Sequence, residues 1–140
     1  MALGGCGGAM PATPNFSAVA NTICTNADDE IVGLPAERRS LVSFAHEAQL
    51  ELPIVRTELK QLTVLTAPAS KAPEFASALA STRRELELVA RLIAAVRAQN
   101  AARIATVALA ADEADGQAKT AMTSLGLGAC AREAVPRGAR

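Results

Sequence analysis

The chain has 140 residues, enough for one domain with its own core. Half of them are hydrophobic but only 2% are aromatic, with no Trp and no Tyr, so the apolar content is Ala, Leu, Val and Ile. The 14 basic residues balance the 14 acidic ones, which removes the net charge that draws in nucleic acid or an anionic membrane, and no apolar run is long enough to span a bilayer.

The amino end reads MALGGCGG. A cysteine behind Leu3, Gly4 and Gly5 has the form of a lipoprotein cleavage box, which makes Cys6 the expected lipid-attachment residue. Such a box normally follows a positively charged stretch and an apolar stretch. An in-frame apolar segment upstream of Met1 is therefore expected if the chain is exported, and none if LGGC is an accident at the start of a cytosolic protein. Residues 7–15, GGAMPATPN, are rich in Gly and Pro and have no period, so residues 1–15 read as a truncated box and a flexible tether.

From residue 16 the pattern is helical. The first helix is expected over about 16–32, with Phe16, Val19, Ile23, Ala27 and Ile31 on one face. Pro14 and Asn15 suit its start, and Gly33 before Leu34-Pro35 suits its end. The second is expected over about 35–65, with the stripe Leu41, Ala45, Ala48, Leu52, Val55, Leu59 and Leu62. Pro53 removes one backbone bond and is expected to kink it. The stripe keeps its phase across Pro53, which favours one kinked helix over two.

TAPASKAP (66–73) is a loop. The third helix begins near Pro73-Glu74, a carboxylate suiting the positive first turn. It carries Phe75, Leu79, Thr82, Leu86, Val89, Ile93 and Val96, widened by Leu88 and Leu92. Asn100 marks a corner. The fourth helix is expected over about 100–125 with Ile104, Val107, Ala111, Ala114, Ala118, Ala121 and Leu125. Its small side chains allow close approach to a neighbour. Gly116 is its weakest point, at about 1 kcal/mol relative to Ala. Gly126 is expected to end it, with Leu127 folding back as in a Schellman cap. The predicted fold is all-α: an up-down-up-down antiparallel four-helix bundle over 16–131, with a flexible tail over 132–140.

The three cysteines are Cys6, Cys24 and Cys130. With Cys6 set aside for lipid, Cys24 and Cys130 remain as a pair. In an antiparallel bundle the end of the fourth helix returns beside the start of the first. Cys24 is about two turns into that helix, roughly 10 Å along its axis, a distance the GLGA segment can cover. A disulfide would then tie the two ends of the domain together. The alternative is that both are ordinary small buried hydrophobes.

The LGGC box, Cys24 in the first helix and AKTAMTSLGLGAC (118–130) together resemble small exported or lipoprotein-type helical proteins of actinobacteria that end in LGLxxC. The resemblance implies an exported helical domain with a disulfide. It implies no activity.

The residues offer little for catalysis. His46 is the sole histidine and lies next to the core stripe, which predicts a partly buried structural residue. The carboxylate and Glu-x-x-His sets of di-iron bundles are missing. A haem held by His46 and Met122 lacks a C-x-x-C-H attachment site. The acidic stretches ADDE (27–30) and DEAD (112–115) do not fit a calcium loop and read as solvated helix faces, as do the arginine pairs at 38–39 and 83–84. No phosphate loop, dinucleotide fingerprint or nucleophile elbow is present.

The expected function is accordingly a non-enzymatic, extracytoplasmic helical domain without a cofactor. It would be anchored to the cell membrane through lipid on Cys6 and act on a protein or small-molecule partner, not on nucleic acid. The rival readings are a small-molecule- or cofactor-binding bundle and a cytosolic regulatory or dimerising bundle with reduced cysteines.

Overall fold

The structure is a computed structural model that describes residues 8–35, 40–134 and 136. Cys6 and the arginine pair at 38–39 lie outside the described residues. Four helices follow one another: α1 (Phe16–Val32), α2 (Leu41–Thr63), α3 (Ala72–Arg97) and α4 (Ala101–Ser124). Among the described residues no strand occurs and no helix is long and apolar enough to cross a membrane. The fold is an all-α arrangement in which α1 packs on α2, α2 on α3 and α3, most extensively, on α4.

The helix ends have local causes. Ser40 caps α2 reciprocally with Ser43: the Ser40 hydroxyl accepts from the Ser43 N–H at 3.1 Å, and the Ser40 N–H donates to the Ser43 hydroxyl at 2.9 Å. This is a capping box with a second serine in place of the usual Glu or Gln, and it sets the start of α2 later than the periodicity predicts. Asn100 caps α4 by accepting from the Arg103 N–H at 3.0 Å. Pro53 lies inside α2, which continues through it to Thr63. Gly116 lies inside α4.

Two Schellman caps close the last two helices. After α4, the Leu127 N–H bonds the Met122 carbonyl at 2.9 Å and the Gly126 N–H bonds the Thr123 carbonyl at 3.0 Å, with Gly126 at φ 76°. Leu127 then folds back and is fully buried. After α3 the same pair of bonds runs from Asn100 to Ala95 and from Gln99 to Val96. Here the left-handed position, φ 52°, is held by Gln99.

The core is aliphatic, with one aromatic joint. Phe16 of α1 meets Phe75 of α3 edge to face, ring centroids 4.9 Å apart, a geometry worth about 0.5–1.5 kcal/mol beyond the area it buries. A smaller cluster of Leu88, Ala111 and Ala114 seals α3 against α4. The chain ahead of α1 is stitched to the α2–α3 loop, where the Thr13 N–H bonds the Thr66 carbonyl and the Thr66 N–H bonds the Thr13 hydroxyl, both at 2.8 Å.

Several expectations need correction. The buried face of α1 is Phe16, Ala20, Cys24, Ala27 and Ile31, with Val19 and Ile23 at its edge. Small residues hold the centre because the turn carrying Cys130 lies against them. Leu41 is exposed, since α2 begins there at an open end of the fold. His46 is exposed and its neighbour Glu47 is buried. Residues one apart face about 100° away from each other on a helix, so burial of Glu47 turns His46 outward.

Candidate functional site

The site grows from the turn after α4. Asn21, on α1, receives the Ala129 N–H at 2.9 Å and donates to the Gly126 carbonyl at 3.3 Å. This side chain holds the 126–129 segment against α1. One turn further along α1, the Cys24 and Cys130 sulfurs stand 2.05 Å apart, the distance of a disulfide, across 106 residues of sequence. Cys24 is buried and Cys130 half-buried.

Beside this disulfide lies a cavity of about 150 Å³. Its wall gathers Asp28 from α1, Glu51 and Glu58 from α2, Glu85 from α3 and Asp115 from α4. Two cations face them, Lys119 and Arg132. Lys119 bonds Asp115 at 2.7 Å and reaches Glu133 at 3.7 Å. Arg132 approaches Asp28 at 3.8 Å. Among the described residues, Asp28, Glu58, Glu85 and Asp115 thus share one wall with Lys119 and Arg132.

The electrostatics follow. Burial pushes the Glu58 carboxyl up to about 7, and the charges of Asp28 and Glu85 reinforce this. Burial likewise lifts Glu85 to about 7; Asp115 and Glu133 add to the effect and Lys119 opposes it. Asp28 is raised by burial, partly offset by Arg132 and reinforced by Asp29. For Lys119 burial acts downward, but the hydrogen bond and charge of Asp115, with Glu133 and Glu85, carry the net displacement upward. These are the two ordinary causes, desolvation and neighbouring charge, acting together.

A second opening adjoins the first. α4 leans on α3 without also closing on α2, so the first half of α4 leaves a groove of about 410 Å³. Phe44 and Leu41 line one side, Val89, Leu92 and Val96 the floor, and Ile104, Ala108 and Ala111 the other side. One end is polar: Asp112, Asp115, Lys119 and Glu133. Asp115 and Lys119 therefore wall both the apolar groove and the carboxyl cavity.

Of the residues singled out from sequence, Cys24 and Cys130 are brought together, and Asp28 of ADDE meets Asp115 of DEAD on one cavity. The expectation that both stretches are merely solvated faces holds for Asp29, Glu30, Asp112 and Glu113, which are exposed, and is corrected for Asp28 and Asp115. Arg83 and Arg84 are exposed, and Arg83 donates to the Thr63 hydroxyl at 3.3 Å. Glu58, Glu85 and Asn21 carry no motif. A carboxylate one position beside a core leucine, as in Glu58-Leu59 and Glu85-Leu86, is the only sequence sign of them.

Comparison with protein-family models, curated proteins and solved structures gives no match.

Proposed function

We propose that this chain is a non-enzymatic, extracytoplasmic binding domain. In this reading the Cys24–Cys130 disulfide closes it, lipid on Cys6 holds it to the membrane, and its groove takes a small amphiphile with an apolar body and a cationic head. The compartment is supported by the paired sulfurs, since disulfides persist where the surroundings are oxidising, and by the odd third cysteine in a cleavage box. One observation carries the ligand class: the apolar groove ends on Asp115 and Lys119, the side chains that also wall the carboxyl cavity. Apolar floor and sides favour a hydrocarbon body. The volume lies within the range of small-molecule pockets. The raised Glu58 and Glu85 carboxyls favour a positive head, which would compensate their charge.

The test is a titration of isotope-labelled protein with decyltrimethylammonium below its micelle concentration, followed by amide NMR. Decanoate, of matching apolar length and opposite charge, is the control. Saturable shifts centred on Val89, Leu92, Ile104 and Ala108, weaker with decanoate and lost in Ala108→Phe, are the expected result. Equal response to both amphiphiles, or shifts away from the groove, would refute the assignment.

A further inference from the structure

The disulfide has a third neighbour, a carboxylate from α2. The Cys24 Sγ, the Cys130 Sγ and a Glu58 carboxylate oxygen all lie within 4.8 Å of one another. We propose that, once the disulfide is reduced, Cys24, Cys130 and Glu58 form a binding site for one thiophilic divalent cation of the zinc class, so that disulfide and metal exclude each other at the same atoms.

Two thiolates and a carboxylate are a donor set zinc accepts, and three protein ligands with one open position is a known arrangement for it. The cysteine Cα atoms are 5.0 Å apart. Around a tetrahedral ion with bonds of about 2.3 Å the sulfurs need to part to only about 3.8 Å, which side-chain rotation supplies without moving α1. Glu58 comes from the second half of α2, so the ligands are fixed by two helices and one pinned turn. The open position faces the cavity, which has volume for water. Glu85 and Asp28 lie around it as further acceptors. The cation would also sit among the carboxyls of Glu58, Glu85 and Asp28, which share the cavity wall. None of this depends on the amphiphile.

Reduction requires a two-electron donor. A water-soluble phosphine takes the disulfide to two thiols and becomes a phosphine oxide, water supplying the oxygen and both protons. The cation then displaces the two thiol protons, and that of Glu58 where it is protonated.

The experiment uses the full chain carrying Cys6→Ser, reduced with phosphine, freed of it without oxygen, and titrated with Co²⁺ alone. The chain has no Trp or Tyr, so the near ultraviolet is clear for thiolate-to-cobalt charge transfer. The expected result is one equivalent bound with that band, displaced by Zn²⁺, absent from the oxidised protein and from Cys24→Ser, and weakened by at least about tenfold in Glu58→Gln. Binding that ignores oxidation state, or is unchanged in Glu58→Gln, overturns the proposal. Should reduction loosen the fold, circular dichroism decides: recovery of helix on adding Zn²⁺ supports the site, and a chain that stays unfolded with Zn²⁺ overturns it.

Discussion

Replacing both Cys24 and Cys130 by Ala removes the covalent tie between α1 and the turn after α4. The bond closes 106 residues of chain. In the chain-entropy treatment a loop of that length restricts the unfolded ensemble by about 16 cal/mol/K, or about 5 kcal/mol at 25 °C. A domain of this size is stable by about 5–15 kcal/mol in total, so the variant should lose a third or more of its margin. At about 3 °C per kcal/mol for a chain of this length, the melting temperature should fall by roughly 15 °C. The effect acts mainly on the unfolded state. Asn21 still holds the 126–129 segment, so the folded variant should keep its helix content. Thermal and urea unfolding followed by far-ultraviolet circular dichroism measure both quantities on the oxidised parent and the variant. A loss below about 1 kcal/mol would refute the reasoning, because it would mean that the ends are not covalently joined in solution.

Three further outcomes follow from single features. Glu58 and Glu85 have folded values near 7 against an ordinary 4.5, so the folded state binds the extra protons. Their contribution is therefore complete below about pH 4.5 and is lost as pH rises through 7. At about 1.4 kcal/mol per pH unit the ceiling is about 3 kcal/mol for each, reduced by solvent at the cavity mouth. Urea unfolding at pH 5 and pH 8 should show the parent losing more stability than Glu58→Gln/Glu85→Gln, and equal losses would contradict the assignment. Gly116→Ala should raise stability by about 1 kcal/mol, because a Cβ there meets nothing within 4 Å inside a regular helix; a melting temperature that falls would count against the continuity of α4. At the left-handed caps, Gly126→Ala should cost about 1–2 kcal/mol and Gln99→Gly should gain up to about 1 kcal/mol, two opposite signs that one thermal series can check.

The helices were legible because their signals are local. Asn100 and Gly126 stand at the boundaries where capping chemistry puts them, and Leu127 folds back as its position after Gly126 predicts. Asn15 and Gly33 flank α1 as expected, but Asn15 makes no side-chain cap bond and Gly33 is right-handed. The start of α2 was not, because a serine at the third position does the work usually read from Glu or Gln. Periodicity favoured the large residues Val19 and Ile23 on α1, whereas close approach of the Cys130 turn favoured Ala20 and Cys24. The pairing of Cys24 with Cys130 could be reasoned from helix length and a returning chain. The carboxyl cavity could not. Its members come from all four helices, and each looks in sequence like one charge on a solvated face. Only packing shows that Asp28, Glu58, Glu85 and Asp115 share one volume.

The proposed export and lipid anchoring stand or fall with the state of the three cysteines. A non-reduced proteolytic digest of the protein from its native host, read by mass spectrometry, tests it directly. A peptide linking Cys24 to Cys130, together with an amino-terminal fragment bearing lipid on Cys6, is the predicted result. Free thiols at both positions beside an unmodified Cys6 would contradict it.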